Sequence, residues 1–233
     1  MATVLLLRHG RTTSNTDGTL AGRTAVALDD SGVKQASAVG ERLRDIPLAE
    51  VVTSPLKRCR QTLATALPGV RAHVESGLVE CGYGDWEGQK LRTLAKEPLW
   101  RVVQSHPSAV TFPAGESMAA MSARAVGAVR RWDDQVTRTA GHDALWLACS
   151  HGDVIKAIIA DALGLHLDLF QRLVVDPASV TVIRYTPGRP FVVRLNDSGA
   201  GLASLVPPPK KARRRRSAGA DSDAVVGGGS GRD

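Results

Sequence analysis

The sequence predicts an α/β fold, a three-layer α/β/α sandwich with a mostly parallel central sheet. Short aliphatic and β-branched runs, which are typical of buried strands, alternate with segments whose apolar residues recur at helical spacing. With 233 residues and 43% hydrophobic residues, the chain is long and apolar enough for a domain with a buried core. Collagen-like, wholly disordered and multi-pass membrane proteins are therefore excluded.

The N-terminal part of the chain predicts two strands, each followed by a helix. Residues 3–7 (TVLLL) form the first strand, and Val51 and Val52 lie in the second. Ser54 before Pro55 predicts an N-cap and a proline in the first turn of a helix over 56–67. Ser31 is the predicted N-cap of the earlier helix, and one face of that helix carries Ala36, Val39, Leu43 and Ile46.

The middle of the chain predicts mainly helices. Residues 70–74 are predicted as a third strand and residues 81–84 as a glycine-rich loop. The section 88–140 is helical in composition and is interrupted by prolines, and its longest helix candidate covers 117–137. We expect this section to determine substrate specificity.

The C-terminal strands complete the predicted sheet. Residues 144–149 (ALWLAC) form a strand that leads into an apolar helix, and 180–185 and 191–195 form an antiparallel pair. After Val206 the pattern ends in three prolines, a basic cluster and a Gly/Ser/Asp segment. We therefore predict one domain at 1–206 and a disordered basic, Gly/Ser-rich tail at 207–233.

The net charge of +7 is unevenly distributed. Seven Lys/Arg and three Asp lie from Pro207 onward, which places +4 in the tail and leaves +3 for residues 1–206. The cluster 210–216 carries six positive charges in seven residues, which would allow a weak, salt-dependent contact with nucleic acid or another anion. The interpretation that we favour is a solvated, disordered tail that keeps the protein soluble.

The cysteines and the apolar runs predict a cytoplasmic protein. Cys59, Cys81 and Cys149 cannot all pair with one another and lack the CxxC spacing of zinc sites. No N-terminal apolar run is long enough for an export signal or a membrane span. We expect reduced thiols and no membrane partner.

Two predicted strands end in the same pattern, LRHG at 7–10 and CSHG at 149–152. If these strands are neighbours in a parallel sheet, their carboxyl ends bring His9 and His151 together, with Arg8 beside them. Guanidinium and imidazole groups without a metal-ligand cluster suit a phosphoryl group. His151-x-Asp153 has no second cluster at metal spacing, so we expect no metal.

Five sequence blocks in order carry a specific resemblance. They are RHGRTTSN at 8–15, SPLKRCRQT at 54–62, LVECGYGDWEG at 78–88, GES at 115–117 and SHG at 150–152. Over nearly all of residues 3–206 the chain resembles the histidine phosphatase superfamily, in its phosphoglycerate-mutase-like branch. The resemblance implies the phosphoglycerate-mutase-like fold.

The resemblance also implies roles for six residues. His9 corresponds to the catalytic histidine that attacks phosphorus and becomes a phosphohistidine, and Glu80 to the general acid/base. His151 corresponds to a further catalytic residue. The phosphate-binding residues of the family correspond to Arg8, Asn15, Arg58 and His151.

The chemistry of these residue types agrees with those roles. A phosphate monoester carries nearly two negative charges, and the planar forks of Arg8 and Arg58 are suited to its oxygens. Glu80 can protonate the leaving oxygen if its pKa lies above the usual value of about 4.3. The predicted reaction is a metal-independent, cofactor-free, two-step hydrolysis of a small phosphorylated metabolite.

Several alternatives stay open. A phosphoglycerate-mutase-type phosphotransferase would use the same phosphohistidine, although the block ECGYGDWEG at 80–88 resembles phosphatases more than the E-R-H-Y-G-type block of mutases. A phosphatase domain with a nucleic-acid-binding tail is a weaker alternative. The sequence leaves a homodimer open, and it gives no reason for Cys81 beside Glu80.

Overall fold

The computed structural model describes residues 1–201 and Gly227, and it contains a six-stranded sheet with helices on both faces. The strands are β1 (Thr3–Arg8), β2 (Leu48–Thr53), β3 (His73–Val74), β4 (Leu145–Ser150), β5 (Val180–Arg184) and β6 (Phe191–Asp197). The α-helices are α1 (Thr13–Thr16), α2 (Asp30–Leu43), α3 (Lys57–Ala66), α4 (Leu91–Leu94), α5 (Pro98–Ser105), α6 (Met118–Ala140) and α7 (Gly152–Ala162). Apart from Gly227, the predicted tail at 207–233 and its basic cluster lie outside the described residues.

The strand order is β3-β2-β4-β1-β5-β6. The first four strands in this order are parallel, whereas β5 and β6 are antiparallel to their neighbours. This confirms the predicted fold class and the closing antiparallel pair. β1 and β4 are direct neighbours, and Arg8 pairs in register with Ser150, so His9 and His151 leave the same edge of the sheet.

Each face of the sheet is buried by its own pair of helices. Leu6 packs into the core that also contains residues of α6 and α7, whereas Leu7 packs into the core that contains residues of α2 and α3. Successive side chains of a strand point to opposite faces, so a strand covered on both sides needs a continuous apolar run. Burial on both faces therefore explains the uninterrupted aliphatic run in the sequence of β1.

The structure corrects two of the predicted helix starts. The side chain of Asp29, not Ser31, caps α2 and accepts the N–H of Gly32 at 2.7 Å. The Ser31 hydroxyl instead accepts from Arg11 at 2.6 Å. Prediction of Ser54 as the N-cap of α3 is also wrong, since Leu56 holds that position without a side-chain cap.

Other element bounds differ by a few residues. The predicted third strand at 70–74 shortens to the two residues of β3. The longest helix, α6, begins after Ser117, whose side chain accepts from the N–H of Ala120 at 3.1 Å, and it continues to Ala140. Gly141, with a φ of 97°, ends it in a backbone conformation that favours glycine.

Within residues 1–201 and Gly227, no helix is both long and apolar enough to cross a membrane. All three cysteines are free and buried.

Candidate active site

The two histidines predicted from the sequence lie together at the carboxyl edge of the sheet. Their ring centroids are 5.3 Å apart, with an angle of 60° between the ring planes. Both side chains are almost completely buried, His9 at 4% and His151 at 0% exposure. The parallel pairing of β1 with β4 produces this proximity.

Arg58 lies between the two imidazole rings. Its Nε–H group is 3.2 Å from Nε2 of His9 and 3.2 Å from Nδ1 of His151. Nη1 of Arg58 donates to the backbone carbonyl of Thr24 at 3.2 Å, and Nη2 donates to that of Gly22 at 2.7 Å. Arg58 lies in the first turn of α3, and the loop that contains Gly22 and Thr24 therefore holds its guanidinium against both histidines.

The contacts of His9 determine its tautomer. Nδ1 lies 2.8 Å from the carbonyl oxygen of Gly10, so this nitrogen carries the proton and Nε2 accepts from Arg58. Burial, followed by the charges of Arg58 and Arg8, holds the pKa of His9 well below its ordinary value. Nε2 of His9 is thus an unprotonated nitrogen suited to nucleophilic attack.

Gly10 is required by the packing around that histidine. A Cβ atom at this position would lie 2.5 Å from the carbonyl oxygen of Gly32, at the start of α2. The N–H of Gly10 donates to the hydroxyl of Thr62 at 3.0 Å, which ties the loop after β1 to α3. The glycine therefore lets α2 and α3 approach the nucleophile closely.

His151 is oriented by a second set of contacts. Its Nε2 lies 2.7 Å from Oγ of Ser54, while Nδ1 faces Arg58. Burial, and after it the charge of Arg58, lowers the pKa of His151 well below its ordinary value. The lowered pKa values favour the neutral form of both histidines, so the positive charge of the site comes from the arginines.

Arg8 supplies the second positive charge. It is completely buried, and its Nη1 donates to the carbonyl of Val175 at 2.6 Å. Burial lowers the pKa of Arg8 to about 10, while the charge of Glu80 acts in the opposite direction. Arg8 therefore stays a cation at neutral pH and can attract an anionic group.

Glu80 has the protonation state that a general acid needs. It is 3% exposed, and its Oε1 accepts from the backbone N–H of Cys81 at 2.9 Å. Burial, followed by the charge of Asp153, raises the pKa of Glu80 to about 8, whereas Arg58 opposes this rise. At neutral pH the carboxyl group holds a proton that it can transfer.

The residues of this site lie within a longer match to known proteins. Residues 4–198 match the model of the histidine phosphatase superfamily (branch 1). The chain belongs to this superfamily. The resemblance predicted from the five sequence blocks is confirmed.

Relatives of this histidine phosphatase include both phosphatases and mutases. The chain is 34% identical over 190 residues to an acid phosphatase of Mycobacterium tuberculosis, a match that covers 79% of this chain and 87% of the relative. It is 31% identical over 186 residues to the probable phosphoglycerate mutase GpmB of Erwinia tasmaniensis, covering 78% and 84%. The predicted phosphatase function is confirmed at the level of the family. Relatives named as phosphoglycerate mutases belong to the same family, so the mutase alternative is also represented there.

Solved structures share the fold. YhfR of Bacillus stearothermophilus superposes with a TM-score of 0.77 at 26% identity, covering 84% of this chain and 98% of that one. The fold class read from the sequence thus agrees with both the sheet topology and a structural neighbour.

The structure places Asn15 differently from the other predicted site residues. Its Oδ1 accepts from the backbone N–H of Thr12 at 3.0 Å and from the Thr12 hydroxyl at 2.8 Å. The first of these bonds and the bond from the Asn15 N–H to the Thr12 hydroxyl at 3.4 Å form the capping box of α1, which occupies the carbonyl end of the Asn15 side chain. A phosphate contact of Asn15 stays a prediction.

Sequence reasoning missed the residues that hold the Glu80 loop. Arg124 of α6 donates to the carbonyls of Gly77 at 2.8 Å, Val79 at 2.6 Å and Glu80 at 3.1 Å. The same guanidinium pairs with Glu116 through contacts of 2.7 Å and 2.9 Å. We call these contacts of Arg124 with the carbonyls and with Glu116 the Arg124 clamp. The GES block at 115–117 contains Glu116, but the sequence did not show which arginine Glu116 would bind.

Cys81 also receives a structural explanation. Its backbone N–H holds Glu80, while its thiol is buried and lies 3.8 Å from the sulfur of Met118. Burial raises the pKa of this thiol far above its usual range, so Cys81 is a neutral packing residue.

No group of three or more His, Cys, Asp or Glu residues within 1–201 and Gly227 is placed to hold a metal ion.

Proposed function

We propose that this protein is a metal-independent phosphatase that hydrolyses a small phosphomonoester through a phosphohistidine on His9. The observation that carries the proposal is the contact of Nε2 of His9 with Arg58 while Nδ1 is bound to a carbonyl. This arrangement gives the nucleophilic nitrogen a lone pair and places a cation beside it. Glu80, protonated at neutral pH, supplies the acid.

In the first step Nε2 of His9 attacks phosphorus and the P–O ester bond breaks. The leaving oxygen takes the proton of Glu80, so an alcohol departs rather than an alkoxide. Arg8 and Arg58 stabilise the negative charge on the phosphoryl oxygens. His151 orients the group from the opposite side of Arg58.

In the second step a water molecule attacks the phosphorus of phosphohistidine and the P–N bond breaks. The carboxylate of Glu80 takes a proton from this water, which restores the acid. Inorganic phosphate leaves, and His9 returns to its neutral form. Glu80 therefore acts as acid and then as base in one turnover.

Substitution of His9 tests this mechanism. His9→Ala should abolish turnover of p-nitrophenyl phosphate and remove any acid-labile, base-stable phosphoenzyme. His106→Ala, on an exposed histidine, is the matched control and should retain both. Near-normal turnover by the His9 variant would rule the mechanism out.

The mutase alternative is tested by the fate of the phosphoryl group. With 3-phosphoglycerate as substrate, a phosphatase releases inorganic phosphate, whereas a mutase produces an isomeric phosphoglycerate. We expect release of phosphate across a panel of phosphorylated metabolites. Isomer formation without phosphate release would favour the mutase.

The cytoplasmic location and a small phosphorylated metabolite as partner belong to the same proposal. Three free, buried cysteines support a reducing compartment. A homodimer and a nucleic-acid contact of the cluster 210–216 stay predictions. Light scattering of the full chain tests the first, and the salt dependence of DNA and RNA binding tests the second.

A further inference from the structure

Arg23 lies in the loop that holds the phosphate-binding guanidinium of the site. We call residues 21–24 the Arg23 loop. The carbonyls on either side of Arg23, those of Gly22 and Thr24, accept from the guanidinium of Arg58. The position of the Arg23 loop therefore determines where that guanidinium lies between the two histidines. The mechanism above gives Arg23 itself no role.

The side chain of Arg23 reaches across to the loop that carries the acid, the Glu80 loop at residues 77–83. Its Nε donates to the carbonyl oxygen of Glu80 at 3.1 Å, and its Nη2 pairs with Oε2 of Glu116 at 2.9 Å. A Cβ atom on Gly82 would lie 3.1 Å from Cζ of Arg23, so the guanidinium lies close to the backbone of the Glu80 loop. The planar fork of Arg23 thus binds a carbonyl and a carboxylate in one orientation.

A carboxylate ties the backbones of the same two loops together. Oε1 of Glu87 accepts from the N–H of Arg23 at 3.1 Å and from the N–H of Tyr83 at 3.1 Å. Gly22 has a φ of 53°, and a Cβ atom there would collide with the Glu87 carboxylate. Glycine at position 22 therefore allows this carboxylate to lie between the loops.

We propose that Arg23 is a positioning residue that sets the spacing between the Arg58 guanidinium and the Glu80 carboxyl group. Its loop holds the cation that binds the phosphoryl group, and its side chain holds the loop of the acid that protonates the leaving oxygen. Both groups must meet the same P–O bond, so a small displacement of either lowers the rate. This inference rests on the proposed function and adds a residue that acts through two others.

The surroundings of Arg23 provide a matched control. Its side chain is 44% exposed and lines an open groove along α3, so its replacement does not open the core. Arg60 lines the same groove and is exposed, and none of the contacts that join the two loops involves it. Arg60→Gln therefore removes the same charge from the same groove without releasing either loop.

Two measurements on Arg23→Gln report the two ends of this link. The kcat/KM for ethyl phosphate relative to p-nitrophenyl phosphate depends on the acid, because the nitrophenyl ester needs little protonation. The inhibition constant of inorganic phosphate depends on the Arg58 guanidinium. We expect the ratio to fall about tenfold and the inhibition constant to rise about three- to tenfold. Arg60→Gln should change neither by more than about twofold.

Arg23→Lys is the second variant if the glutamine variant does not fold. Lysine keeps the charge but replaces the planar fork by a single ammonium group, so both measurements should move in the same direction as in Arg23→Gln. Thermal unfolding of each variant measures its stability. A loss of folded enzyme lowers the turnover of both esters alike and leaves their ratio unchanged, whereas a displaced acid lowers the ratio.

The outcomes separate the two proposals. If wild type does not hydrolyse p-nitrophenyl phosphate, the proposed function itself has failed, and the inference fails with it. If wild type hydrolyses this ester but Arg23→Gln slows both esters equally, or changes only one of the two measurements, Arg23 does not couple the two groups. Equal changes in Arg23→Gln and Arg60→Gln would assign the effect to the charge of the groove and would also overturn the inference.

Discussion

Oγ of Ser54 lies 2.7 Å from Nε2 of His151, and both side chains are completely buried. Since Nδ1 of His151 accepts from Arg58, its Nε2 carries the proton and donates to Ser54. The contact with Arg58 thus determines the tautomer of the second histidine, and the Ser54 hydroxyl accepts the proton on Nε2. The sequence pattern had assigned the same hydroxyl to the start of α3.

Replacement of Ser54 by alanine should leave the Nε2 proton of His151 without its buried acceptor. We expect kcat/KM for p-nitrophenyl phosphate to fall about tenfold, the equivalent of one net hydrogen bond of about 1.4 kcal/mol. Nitrogen NMR of the His151 ring should report the lost hydrogen bond at Nε2. Ser105→Ala, at an exposed serine, is the control, and an unchanged His151 spectrum in Ser54→Ala would contradict this role.

Removal of the Arg58 charge should change the acidic limb of the pH–rate profile. Arg58 lowers the pKa of His9, so Arg58→Gln should raise that pKa and protonate the nucleophile at higher pH than in wild type. The acidic limb for p-nitrophenyl phosphate should move to higher pH while kcat/KM falls at least 100-fold. Arg60→Gln, exposed on the same helix, should leave the limb in place. A limb that stays fixed in Arg58→Gln would show that the Arg58 charge does not lower the His9 pKa.

The raised pKa of Glu80 predicts a basic limb for substrates with poor leaving groups. Turnover of alkyl phosphates should fall above about pH 8, because Glu80 then loses the proton that it donates. p-Nitrophenyl phosphate needs little protonation of its leaving group and should show a weaker decline. Glu80→Gln should slow alkyl phosphates far more than the nitrophenyl ester, and equal losses would argue against the acid role.

The same carboxyl group should destabilise the fold as pH rises. Its folded pKa lies above the unfolded value, so the folded state binds more protons and stability falls between about pH 4.5 and pH 8. Glu80→Gln removes this pH-dependent loss of stability, so it should raise Tm relative to wild type at pH 8 more than at pH 5. Thermal unfolding of both proteins at the two pH values measures the difference. A Tm gain that is equal at both would mean that Glu80 is not protonated in the folded enzyme.

Arg124 should be needed to position the Glu80 loop. Arg124→Lys keeps the charge but loses the fork that reaches several carbonyls, so Tm and the turnover of alkyl phosphates should both fall. We expect a loss of about 1–3 kcal/mol in stability, since buried carbonyl groups lose their donors. Arg130, on the same helix, forms an exposed ion pair with Asp161, so Arg130→Lys is the control and should change Tm little. Equal Tm values for the two variants would show that the clamp does not stabilise the loop.

The sequence by itself determined the layered α/β fold and the meeting of His9 with His151. Both follow from short-range information, namely continuous apolar runs for strands buried on two faces and the polar residues directly after them. It also indicated Arg8, Arg58 and Glu80 through the five ordered blocks. All three side chains are buried, and Arg58 contacts both histidines.

The tertiary structure alone decided which partners these groups have. Ser54 could cap a helix or bind a histidine, and only the position of β4 beside β2 brings His151 within 2.7 Å of it. The contacts of Arg124 with the Glu80 loop likewise join residues far apart in sequence. Burial and neighbouring charges, which raise the pKa of Glu80 to about 8 and lower that of His9, arise only when the chain has folded. Residue types and spacing therefore specified the chemistry available to the site, while long-range packing determined the protonation states that make it usable.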